Sequence, residues 1–186
     1  MNRRSPAVFG VVALAAAMWM VPPGVAFAQA EPAAAQAHAI PQALRIEQKE
    51  TAEQLTTLAS RPAPVGPAAK EALALLQKHY AREREFILPP LTLLPLLADG
   101  TVSPDMAWAL PMVDRVKAER EQIFNEHAEI TEALNALLAA AIEANDNDAK
   151  EFAESAAGDS LTDLEILEPA ILMIGETLRA KLPAAH

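Results

Sequence analysis

The chain has 186 residues, no cysteine, a formal net charge of −10, and 52% hydrophobic but only 4% aromatic residues. The acidic balance argues against nucleic acid or an anionic lipid surface as a partner, and the missing cysteines exclude disulfides and a lipidated N-terminal Cys. Length and composition favour one domain of helices packed on helices.

Residues 1–28 read as a secretory signal peptide. Arg3 and Arg4 precede the apolar run Ala7 to Met20, Val21-Pro22-Pro23-Gly24 breaks it, and Ala26-Phe27-Ala28 is a small-x-small cleavage triplet. The run is too short to span a bilayer comfortably. Cleavage after Ala28 is the first choice and after Ala30 the second; the residues after Arg3-Arg4 do not complete a twin-arginine pattern. Removing the two arginines takes the net charge from −10 to −12. The mature chain is then expected in the periplasm or the medium, with no membrane attachment. Residues 29–41, rich in Ala with Pro32 and Pro41, read as a tether in which His38 has no task.

Four amphipathic helices follow. The first covers Gln42 to Ala59, with Leu44, Gln48, Ala52, Leu55 and Leu58 inward. A proline-rich turn, Arg61 to Ala68, leads to the second, from near Pro67 to Leu88, whose inner stripe is Leu73, Leu76, His79, Glu83, Phe86 and Ile87. Pro89-Pro90 must bend it, and Leu91 to Ala98 continues as an apolar turn or short helix stopped at Asp99-Gly100. The third spans Pro104 to Ala144 with a potential break at Pro111. Its seam is Val113, Val116, Ile123, His127, Ile130, Leu134, Leu137 and Ala141. Asn145 to Asp148 is a turn with Asp148 as cap, and the fourth helix runs from Ala149 to Leu182 with Phe152, Ala156, Asp159, Asp163, Ile166, Ala170 and Met173 inward. Short links and no strand signal predict an all-α, up-down-up-down four-helix bundle.

Each inner stripe is apolar except near its middle. Gln48, His79, Glu83, His127, Asp159 and Asp163 gather there, and imidazoles and carboxylates facing one another from separate helices are how bundles build metal sites. Two imidazoles with up to three carboxylates suit iron, manganese or zinc. Each group also has a plainer reading. His79 and Glu83 form an i,i+4 contact, and His127 is a neutral core histidine. Gly158-Asp159-Ser160 with Asp163 is a helix start capped by Ser160. In the run Arg82 to Glu85, Glu83 alone is expected to turn inward. Met106, Met112 and Met173 read as gap-fillers and Trp108 as an anchor for the third helix. There is no Gly-rich phosphate loop and no nucleophile elbow.

From roughly Leu44 to Leu182 these residues resemble the hemerythrin-like (HHE cation-binding) family. His79-x3-Glu83 followed by Pro89 looks like the family's second-helix signature. Glu126-His127-x2-Ile130 is similar to its third-helix one, and Leu164 to Leu178 (LEILEPAILMIGETL) to the segment after its last ligand pair. The family holds a di-iron centre with five histidines and two bridging carboxylates. The resemblance implies a hemerythrin-like bundle over residues 42–186, with His79, Glu83, His127 and Asp163 as metal ligands and Asp159 as a substitute oxygen ligand. The ligand set is reduced: Gln48 and Ala52 stand where the first helix should give a histidine, Thr131 follows His127, and Asp159 replaces a histidine. What this implies is an exported protein binding one or two iron ions, or zinc, in a storage, sensing or oxygen-related role. The alternative is a metal-free bundle acting through a protein partner. A di-iron oxidase or peroxide-consuming enzyme is a third reading, supported by nothing beyond the incomplete ligand set.

Overall fold

The computed structural model describes residues 38–183, which are helix and turn with no strand among them. The expected signal peptide and residues 29–37 of the tether lie outside the described residues.

Helix α1, Gln42–Ala59, has the expected bounds and buries Gln48, Leu55 and Leu58. Helix α2, Val65–Arg82, starts two residues earlier than expected, which puts Gly66 and Pro67 in its first turn. Only glycine fits at position 66. Its N–H donates to the Pro62 carbonyl at 3.1 Å, and a Cβ there would lie 1.9 Å from the Arg61 carbonyl oxygen. His38, expected to have no task, stacks on Trp108 with ring centroids 3.7 Å apart.

Beyond Arg82 the helix widens into a π turn, Glu83–Ile87, closed by the Leu88 N–H reaching the Glu83 carbonyl at 2.9 Å. Pro89 and Pro90 supply the reason. A proline has no N–H to continue the α ladder, and its ring pushes aside the carbonyl four residues back. A 3-10 turn, Pro89–Leu93, and the short helix α3, Leu94–Ala98, follow and end at Gly100, whose φ of +77° suits glycine.

The single third helix is instead three pieces: a 3-10 turn Pro104–Trp108, α4 Ala109–Ala118 and α5 Arg120–Ala144. The break falls at Glu119 (φ −100°, ψ 14°), not at Pro111. Pro111 sits in the first turn of α4, where a missing N–H breaks no helical bond. The seam from Val113 to Ala141 is buried throughout, as its periodicity requires. Asn145 ends α5 in the left-handed conformation (φ 54°), which asparagine tolerates. Asp146, not Asp148, caps α6, Asn147–Thr162: its Oδ1 accepts from the Ala149 N–H at 3.1 Å. Asp148 instead pairs with Arg61, tying this turn to the one after α1.

The fourth helix is also divided. A π turn, Asp163–Leu167, joins α6 to α7, Glu168–Lys181. That turn carries one more residue than an α turn, so everything after it rotates by one position. Ile171, Ile174 and Leu178 are therefore buried, whereas Ile166 and Met173, expected inward, are 60% and 69% exposed. Gly158 lies inside α6, which removes the reading of Ser160 as a helix cap.

Helix α1 packs on α2, α2 on α5, α5 on α6, and α4 on α7. Two apolar clusters result. One joins Leu55, Leu76, Ile130, Leu134 and Leu137; the other joins Phe86, Val113, Ile123, Ile171 and Leu178. Truncating such a leucine to alanine costs about 2–5 kcal/mol. The polar residues lie between the two clusters along each chain segment.

Candidate functional site

All five residues singled out by the sequence, His79, Glu83, His127, Asp159 and Asp163, line one cavity of about 30 Å³. That is room for an ion or about two waters. His79, Glu83 and His127 are buried, Asp163 is half-buried, and Asp159 is exposed at the rim. Gln48 and Glu47 from α1, Tyr80 from α2 and Ser160 from α6 are also in its walls.

The bonding pattern is specific. Gln48 Nε2 donates to Glu83 Oε2 at 2.7 Å, while Gln48 Oε1 accepts from Arg84 at 3.2 Å. The position where the family resemblance implies a ligand thus holds a donor to a carboxylate. His79 Nδ1 lies 3.1 Å from Glu126 Oε2, and its Nε2 lies 3.4 Å from Glu83 Oε1. That second approach lacks hydrogen-bond geometry, so Nε2 is buried without a partner. A buried polar atom left in this way calls for an explanation. His127 Nδ1 is hydrogen-bonded to Ser160 Oγ at 2.9 Å, and its ring meets that of His79 edge-on with centroids 4.4 Å apart.

Charge in the layer follows from these contacts. Burial works against a charged His79, but Glu83 and Glu126 on either side outweigh it and raise its pKa. Burial, then the neighbouring His79, push His127 down to about 4, so it is neutral at pH 7. Asp163 is pushed up to about 7, first by burial and then by the charges of Glu83 and Glu47. Burial likewise raises the Tyr80 phenol beside it. A half-buried acid that resists ionising beside two other carboxylates makes the cavity a place where a cation is favoured.

Three participants were not legible as such. Glu126 accepts from His79, from Gln122 Nε2 at 3.1 Å and from Arg82. Arg82, expected on the solvated face, has a side chain only 13% exposed and also holds Glu119. Ser160 faces His127 instead of capping a helix. The i,i+4 spacing of Gln122 and Glu126 was a weak signal, but nothing in it names the facing helix.

Among the described residues, no group of three or more His, Asp or Glu side chains stands as a ready-made ligand set. The donors nonetheless fit a metal in one respect. A histidine whose Nδ1 is backed by a carboxylate while Nε2 has no hydrogen-bond partner has the arrangement of metal-ligating histidines. Glu83 has Oε2 engaged by Gln48 and Oε1 turned toward His79, so one oxygen remains for an ion.

No protein-family model, no curated protein and no solved structure matches the chain.

Proposed function

We propose that this is an exported, hemerythrin-like protein, an up-down-up-down four-helix bundle whose core layer takes one or two iron or zinc ions in a storage, sensing or oxygen-related role. The observation that carries the reading is His79 Nε2, buried and without a hydrogen-bond partner beside the cavity shared with Glu83, His127 and Asp163. His79, Glu83 and Asp163 would hold the ion, with His127 as the second imidazole and Asp159 as an oxygen ligand from the rim. A bound ion would supply positive charge to the acidic layer and, if iron, a redox-active centre. Glu83 supplies an oxygen, Gln48 steadies that carboxylate, and the two apolar clusters keep bulk water away.

The test is metal analysis of protein purified without a His-tag and reconstituted with iron(II) or zinc(II). Near-stoichiometric uptake is expected, abolished by His79→Ala, together with a higher melting temperature. At 100-fold excess over Kd, binding stabilises by about 2.7 kcal/mol. No uptake at micromolar metal overturns the reading. Mass spectrometry of protein recovered from the periplasm tests export; a mature chain beginning at Gln29 is expected.

One observation favours a second reading, a metal-free bundle serving as a protein-interaction module. A protonated His79 between Glu83 and Glu126 would itself neutralise the layer. On that reading a chelator leaves the melting temperature unchanged.

A further inference from the structure

We propose that Glu126 is the positioning residue of this site: gripped by Arg82 and Gln122, it holds His79 so that Nε2 faces the cavity. This rests on the metal reading above.

Both carboxylate oxygens of Glu126 are assigned. Oε1 accepts from Arg82 Nη1 and from Gln122 Nε2, which leaves Oε2 for His79 Nδ1. A carboxylate in that setting only accepts, so Nδ1 carries the hydrogen and Nε2 is the atom left for a ligand. The His127 ring stands at 74° to the His79 ring, with centroids 4.4 Å apart, and opposes its rotation. The support extends further back, because Arg82 also binds Glu119 at the α4–α5 break, and Glu119 Oε1 accepts from Arg115 at 2.8 Å. A single charged chain therefore runs from the kink at Glu119 through Arg82 and Glu126 to the imidazole. Neighbouring residues of α5 divide the work: His127 lines the cavity, and Glu126 orients the histidine that reaches it from α2.

The experiment titrates the full chain with zinc(II) against a chelating dye and records the cobalt(II) visible spectrum. Glu126→Ala is expected to bind zinc 10–100-fold more weakly with an altered cobalt spectrum, as for other groups that orient a metal-bound histidine. Glu126→Gln, whose amide oxygen still accepts from Nδ1–H, is expected to recover most of the affinity. Asp114→Asn breaks an exposed ion pair with Arg179 that lies outside this charged chain, and should leave zinc affinity within twofold. If Glu126→Ala, or Glu126→Leu should the alanine variant not fold, binds zinc as the parent does with an unchanged spectrum, or if Asp114→Asn loses as much affinity as Glu126→Ala, the positioning role is overturned. A parent chain that binds neither metal overturns the metal reading itself, a different result.

Discussion

Glu83 and Asp163 each open a π turn, and each stands six residues before a proline, Pro89 or Pro169. The local sequences match in pattern as well: an acid two residues on (Glu85, Glu165) and apolar residues at the next two positions (Phe86-Ile87, Ile166-Leu167). In each case the proline leaves the carbonyl four residues back without its helical partner, and the turn before it widens. Glu83 and Asp163 therefore sit where the helix is locally opened, and π turns in proteins are frequent at functional sites.

This relationship makes an asymmetric prediction about chain length. Deleting Ile166 should convert the second π turn to an ordinary α turn and keep Ile171, Ile174 and Leu178 facing inward. Cooperative unfolding should survive, with a loss of roughly 5–10 °C. Inserting one alanine after Ile166 instead rotates α7 by about a further 100° and turns those side chains out of the core. Thermal melts followed by circular dichroism should show a broad, non-cooperative transition; equal behaviour of the two variants would refute the register argument.

The pH dependence of stability has opposing parts. Asp163 has a folded pKa of about 7 against 3.8 ordinarily, so its favourable contribution is complete below about 4 and lost as pH rises through 7. His127, at about 4 against 6.5, acts the other way: its contribution is present above 6.5 and lost as pH falls through 4. Asp163→Asn should raise the stability of metal-free protein by about 1–3 kcal/mol at pH 8, with the gain vanishing near pH 4. It should also weaken metal binding. Calorimetry with and without a chelator checks both, and a variant less stable than the parent at pH 8 would contradict the assignment.

His79 and Glu83 should be energetically coupled. His79→Leu alone leaves Glu83 and Glu126 buried beside an apolar side chain, at a cost of about 3–5 kcal/mol. The double variant His79→Leu/Glu83→Leu should be less damaging than the sum of the single changes by about 1–3 kcal/mol. Urea denaturation in a chelator measures the cycle, and additivity within about 0.5 kcal/mol would show no coupling.

Three glycines should respond differently to alanine. Gly158→Ala places its methyl in open space within a helix and should stabilise by about 0.5–1 kcal/mol. At Gly175 the methyl would meet Val113 Cγ1 at 2.5 Å, for a loss of about 1–3 kcal/mol. At Gly66 it would strike backbone, the Arg61 carbonyl oxygen, so this change should be the most damaging of the three. Midpoints of chemical denaturation give the order directly.

The helical class, the inward seam of α5, the bend at Pro89 and the burial of Gln48, His79, Glu83 and His127 could all be read from the chain, whereas Asp159, expected inward, is exposed. Each depends on a periodicity or a proline that acts within one segment. The pairing of Glu126 and Arg82 with His79, the Ser160–His127 contact and the outward turn of Met173 came only with the tertiary structure. The physical reason is the same in each case. A side chain's direction follows from counting residues along one helix, whereas its partner depends on how neighbouring helices are rotated, and one extra residue in a π turn resets that count.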